Sequence, residues 1–220
     1  FVMAARGCPN ICSFCLWPNI FYNHRVRVRS PKNIVDELEW LINEYGMKEI
    51  FIDDDTFNIS KNRVMDICNE ILNRKIKIVW GCSCRVDCAD EEMFNVMKKS
   101  GCKLICYGVE SANPETLKRT NKRIDLDQAR NAVKLTQKAK IIAHVNLMVG
   151  FPWETREEME KTINFGLELN ADTVQYSLVF PHPGSEMYDI ALKSGNNLEY
   201  DFRHTNKSTS LYVLKVKVDL

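Results

Sequence analysis

The chain has 220 residues, a net charge of +1, 45% hydrophobic and 27% charged residues. That length suits one large domain or two small ones, and the apolar share is enough for a sizeable core. A near-neutral balance argues against nucleic acid as the partner, and no apolar run approaches the ~20 residues that a membrane-crossing helix needs, so no transmembrane segment is expected.

Strand-like and helix-like segments alternate along the chain. An apolar start, Phe1 to Ala5, runs into a cysteine-bearing loop. Ser30-Pro31 opens a helix, because serine caps free backbone N–H groups and proline suits the first turn; Ile34, Leu38, Leu41 and Ile42 stripe it. Lys48 to Ile52 reads as a strand ending in Asp53-Asp54-Asp55, and Ser60 caps the next helix. Strands then follow at Ile76 to Cys82, Lys103 to Val109, Ile141 to Val149 and Thr173 to Phe180. Helices are predicted over Asp90 to Lys99, Asp125 to Lys138, Thr155 to Leu169 and Ser185 to Lys193, with a short helical turn from Pro114.

Six such units predict an α/β fold with parallel strands, a partial (β/α)6 barrel of TIM type with its helices outside. A doubly wound open sheet is the alternative. Residues 1–195 form the predicted core domain. Residues 196–220 are a tail or the stump of a further region, with a terminal alternation at Leu214, Val216 and Val218. The start at Phe1, in what reads as the first core strand, suggests a piece of a longer protein without a leader peptide.

Nine cysteines, an odd number without framework spacing, point to reduced thiols and metal ligation in a cytoplasmic setting. Cys8, Cys12 and Cys15 are spaced C-x3-C-x2-C. Three thiolates leave a bound metal one position open, whereas zinc fingers and ferredoxins usually bring four. A 4Fe–4S cluster with one bare iron gives the missing ligand a purpose, since a small molecule can chelate that iron through an amine and a carboxylate. A structural zinc knuckle, or three reduced cysteines in a loop, are the plainer alternatives. Cys68, Cys82, Cys84, Cys88, Cys102 and Cys106 lack a common ligand spacing and read as core thiols rather than a second cluster.

The cysteine spacing, with Phe14 before the third cysteine, resembles the signature of the radical S-adenosylmethionine (radical SAM) superfamily. The resemblance runs over residues 1 to about 195 and reaches all six strand ends. It implies a 4Fe–4S cluster on Cys8, Cys12 and Cys15, with S-adenosylmethionine on the open iron, cleaved to a 5′-deoxyadenosyl radical. The strand ends carry the polar and Gly/Pro-rich clusters, as parallel barrels place function. Asp53-Asp54-Asp55-Thr56-Phe57 departs from the Gly-Gly-Glu-like motif common there, and Asp54 is the candidate for the methionyl ammonium. Gly108-Val109-Glu110-Ser111 and the Asp-Asp-x-Phe form are similar to the cobalamin-associated subgroup. Glu110 and Ser111 are candidates for the ribose or methionyl carboxylate, with an ion pair between Glu110 and Arg85 as the plainer role for Glu110. Arg85 suits a carboxylate through its forked donors. Gly150-Phe151-Pro152 has the form at which backbone approaches the adenine.

Cys-Leu-Trp-Pro and the following His24-Arg25-Val26-Arg27-Val28-Arg29 stretch are similar to hopanoid-biosynthesis-like members. A solvated edge is the favoured reading of those arginines, and an anionic-substrate contact the other. The implied activity is methylation or rearrangement of a small, lipid-like or secondary metabolite. A flavodoxin or ferredoxin would donate electrons, and cobalamin would come through an upstream domain. A methylthiotransferase acting on tRNA or protein is one rival; a zinc-stabilised binding module is the other.

Overall fold

The computed structural model of the chain describes residues 1–193; the predicted tail at 196–220 lies outside them. Two short strands, β1 (Ala5–Arg6) and β2 (Arg27–Val28), pair antiparallel around the cysteine loop. The alternating units follow as α1 (Pro31–Tyr45), β3 (Glu49–Ile52), α2 (Lys61–Asn73), β4 (Val79–Cys84), α3 (Glu91–Lys99) and β5 (Cys102–Glu110). After them come α4 (Pro114–Arg119), α5 (Leu126–Lys138), β6 (Ile142–Val149), α6 (Arg156–Glu168), β7 (Thr173–Leu178) and α7 (Glu186–Lys193).

Strands β3 to β7 form one parallel sheet in strict sequence order. A doubly wound sheet reverses its strand order at a switch point. This sheet does not, so right-handed crossovers keep every helix on one side and curl the sheet into a partial barrel. The helix-covered face is dry: Ile50, Ile52, Trp80, Cys82, Ile105, Tyr107, Val145 and Leu147 are buried against Ile34, Leu38, Ile67, Phe94, Met97 and Val133. Cys68, Cys82, Cys84 and Cys102 lie in this core. The helices begin where the side chains dictate. Ser30, Ser60 and Asp90 accept from the N–H of Asn33, Arg63 and Met93, while Asp125 and Thr155 form capping boxes.

The first predicted strand departs from expectation. Val2 alone joins the sheet, bonding through its backbone to Phe51 and Asp53. Two and three residues on, the N–H groups of Ala4 and Ala5 both donate to Asp54 Oδ1 at 2.7 Å. The carboxylate thus takes the place of a neighbouring strand, and the chain turns away to pair as β1 with β2. Arg63 closes the arrangement, its Nη2 donating to Ala4 O at 2.6 Å and its Nη1 lying 3.7 Å from Asp54 Oδ2. In the arginine-rich stretch, Arg29 pairs with Glu37 of α1 and donates to Met3 O, whereas Arg25 and Arg27 are exposed.

Removing a buried ion-pair partner strands the other charge, at about 3–5 kcal/mol. Asp54→Ala is therefore expected to lower the unfolding free energy of the cofactor-free protein by about that amount in urea denaturation. A change below ~0.5 kcal/mol, ordinary for a surface substitution, would show that Asp54 does not hold the first strand.

Candidate active site

A cavity of about 400 Å³ opens at the carboxyl ends of the strands. The cysteine loop forms one wall and Arg85, Gly108, Glu110 and Asn146 the other. Gly7 starts the loop at φ 95°, where a Cβ would stand 2.0 Å from Arg25 O, so only glycine fits the turn out of β1. Gly7 N donates to Asp55 Oδ2 at 2.8 Å, Ser13 N to Thr120 O at 2.9 Å, and Met187 N to Ser13 O at 2.9 Å. Those three bonds tie the loop to β3, to the turn after α4 and to α7. Beyond the cysteines, a single π-helical turn, Trp17–Tyr22, returns the chain to β2.

Cys8, Cys12 and Cys15 all line this cavity. Asn10 Nδ2 lies 3.2 Å from Cys8 Sγ, and Thr56 Oγ1 3.6 Å from it. Burial pushes the Cys15 thiol up to about 11, against a hydrogen bond from the Trp17 backbone. Burial also raises Cys12, against the opposing charges of Lys122 and Arg85. Thiols in such a setting stay protonated until a metal centre displaces the proton. Ser13 Oγ, between two of the cysteines, is buried without a partner among the described residues. Three thiols lining one cavity, two cations that also line it and an orphaned hydroxyl fit a bound iron–sulfur cluster, whose anionic charge those cations would offset, although the three sulfurs are not gathered as ligands of a single ion.

Other predicted residues divide by strand parity. Side chains alternate across a sheet, so Asp54 follows Ile50 and Ile52 onto the helix-covered face. Its side chain is fully enclosed and occupied by Ala4, Ala5 and Arg63. Asp53, Asp54 and Asp55 all line the cavity; Asp55, which is exposed where Asp54 is buried, has the freer carboxylate for an ammonium. Ser111 is likewise turned outward: it is fully buried, donates to Glu154 Oε1 at 3.4 Å and accepts from Asn113 N at 3.1 Å. The alternation of Ile50 and Ile52, and of Tyr107 and Val109, on the dry face was the signal for the two assignments.

Glu110 does reach the cavity, but its partner is Lys122 at 2.8 Å rather than Arg85. Arg85 donates Nε and Nη2 to Asp87 as a fork, both at 2.9 Å, and Nη2 also to Lys122 O. Asn58 holds the Arg85 backbone at both its N–H and its carbonyl. Gly150 has φ 89° and open space where a Cβ would stand, while Glu154 binds its N–H and that of Phe151. Phe151 meets Phe14 edge-on at 6.5 Å and stacks on Trp153. Asp55, Lys122 and Asn58 escape sequence reasoning because two lie in turns without periodicity and the third hides within a run of like residues.

The profile of the radical SAM superfamily matches residues 2–166. The chain is 37% identical over 216 residues to an uncharacterised methyltransferase of Pyrococcus horikoshii, across 98% of this chain and 46% of that protein. It is 30% identical over 213 residues to the hopanoid C-3 methylase of Methylococcus capsulatus, across 94% and 40%. The fold superposes with a TM-score of 0.80 on TsrM of Kitasatospora setae, a radical S-adenosylmethionine methyltransferase with cobalamin and a [4Fe-4S] cluster bound. That match has 23% identity and covers 87% of this chain and 39% of TsrM. The chain spans less than half the length of these relatives.

Burial holds the Asp55 carboxyl above its ordinary range, against the hydrogen bond from Gly7. The cost of charging it in the folded state is absent below its unfolded pKa. It grows as pH rises through the unfolded and then the folded pKa, and is complete above both. Asp55→Asn is therefore expected to raise the thermal midpoint of the cofactor-free protein at pH 7, with the advantage gone below about pH 3. A variant less stable than the parent at pH 7 would contradict this.

Proposed function

The chain belongs to the radical SAM superfamily, and from that premise we propose that residues 1–195 are the catalytic domain of a cobalamin-associated radical SAM enzyme. Its substrate would be a small, lipid-like or secondary metabolite, which it methylates or rearranges. The observation that carries this reading is that Cys8, Cys12 and Cys15, all from one loop, line the cavity that Arg85, Glu110 and Lys122 also line, with Cys84 and Cys106 of the sheet on its floor. The cysteines would hold a 4Fe–4S cluster and leave one iron for S-adenosylmethionine. When bound, that pair supplies reductive cleavage of a sulfonium C–S bond to give a 5′-deoxyadenosyl radical.

The protein's share is to bind, orient and exclude water. Phe14 and Phe151 form an apolar wall beside the thiols. Asp55 would meet the methionyl ammonium. Arg85, with Nη1 outside its fork to Asp87, would meet the methionyl carboxylate. Glu110 would meet the ribose, and the adenine would take the open approach to Gly150. Ser111 would act indirectly, by fixing Glu154 and the turn after β6.

The names of the relatives favour methyl transfer and are consistent with cobalamin from a further domain. Methylthio transfer to tRNA or protein ranks below it, and family membership displaces the zinc-stabilised module. A flavodoxin or ferredoxin would deliver the electron, in the cytoplasm. Among the described residues no helix is long and apolar enough to cross a membrane.

Anaerobic reconstitution is expected to give about four irons per chain and, with dithionite and S-adenosylmethionine, 5′-deoxyadenosine. Cys12→Ala should lose both iron and cleavage to background. Cleavage that survives Cys12→Ala, or a colourless protein that takes zinc and no iron, would overturn the proposal.

A further inference from the structure

The Glu110–Lys122 pair is costly in two ways that the contacts described so far do not explain. Both residues are buried, at 8% and 7% exposure, in a cavity wall where an ion pair gives up hydration on both sides. The backbone of Glu110 is also strained, with φ 72°, and Arg123, next to Lys122, has φ 55°, whereas Asn121 at φ 53° is the ordinary left-handed residue that ends α4. A left-handed conformation at a residue other than glycine costs about 1–3 kcal/mol and persists where its surroundings enforce it. Here the enforcement is visible. At Gly108 a Cβ would stand 2.2 Å from Glu110 Oε1 and 3.0 Å from Lys122 Nζ, so the position is kept clear for the pair.

The segment carrying Lys122 is fastened to the cysteine loop rather than to its own helix alone. Thr120 O accepts from Ser13 N, and Asn121 O lies 3.9 Å from Cys12 Sγ. Lys122 O accepts from Arg85, and Lys122 Nζ stands 5.9 Å from the centre of the Phe14 ring. An ammonium at that distance over a ring face is held there electrostatically. Backbone, ring and carboxylate together fix one positive charge beside Cys12.

We propose that Lys122, poised by Glu110, is a positioning residue that raises the potential at which a cluster on Cys8, Cys12 and Cys15 accepts an electron. The inference rests on the cluster reading above. Reduction adds one negative charge to the site, and a fixed cation in a cavity of low dielectric favours the more negative state. The Glu110 carboxylate opposes it, so the pair sets a balance that either residue alone would tilt.

The test is a mediated redox titration, followed by electron paramagnetic resonance, of the reconstituted parent, Lys122→Met, Glu110→Gln and the double variant. Iron and sulfide are quantified in each. Lys122→Met should shift the midpoint to a more negative potential and Glu110→Gln to a more positive one. The double variant, with the same net charge as the parent, should return close to it. Equal midpoints in all four proteins, or single shifts of the same sign, would overturn the proposal and leave the pair a structural brace. If Lys122→Met does not fold, Glu110→Gln and the double variant carry the same comparison. A parent chain that assembles no iron–sulfur cluster would instead overturn the reading on which the proposal rests, and the proposal with it.

Discussion

The arrangement depends on one buried carboxylate. Asp54 Oδ1 accepts both the Ala4 and Ala5 N–H groups at 2.7 Å, which ends the pairing of the first segment with the sheet after a single bridge at Val2. Enclosing a carboxylate costs several kcal/mol unless hydrogen bonds and an opposite charge offset it. Two backbone donors at Oδ1 and Arg63 at 3.7 Å supply part of that offset, Oδ2 itself being buried without a hydrogen-bond partner among the described residues. The pKa of Asp54 is nevertheless raised, with burial the largest cause and those partners opposing it. The consequence is geometric. The chain leaves the sheet after Val2, turns at Gly7 and brings three cysteines to the cavity at the carboxyl ends of the strands.

From that turn the electrostatics of the cavity follow. Thiols brought out of water resist ionisation, and a centre that ionises them accumulates negative charge beneath Phe14. The opposing wall places two cations there, each with a carboxylate: Arg85 in a fork to Asp87 and Lys122 on Glu110. Positive-φ backbone at Glu110, Asn121 and Arg123 lies within this wall. The sheet supports it from below through a dry face on which Tyr107 bonds to Thr136 at 2.7 Å, the helices being packed on one side alone.

Much of this was legible in the residues. Helix starts at Ser30, Ser60, Asp90, Asp125 and Thr155 were readable because capping side chains act locally. The five long strands were readable because their apolar runs lie between turn residues. The partners that Asp54 and Ser111 take within the fold were not read for lack of strand parity: Ile50, Ile52 and Asp54 share one face, as do Tyr107, Val109 and Ser111. The loss of the first strand to a side chain 50 positions away was not readable, since apolar residues at Phe1 to Ala5 look the same whether a strand or a carboxylate takes their N–H groups. Lys122 was hidden for a related reason, because its importance comes from contacts that only the folded chain makes.

The central claim is that three cysteines hold an iron–sulfur cluster with one iron left for the methionyl end of S-adenosylmethionine. Electron-nuclear double resonance on the reduced, reconstituted protein with S-adenosylmethionine carrying a labelled amino nitrogen and carboxylate tests it most directly. The account predicts hyperfine coupling to the labelled nitrogen and carboxylate that is absent in a Cys15→Ala variant. An intact cluster that shows no coupling to either label would contradict it.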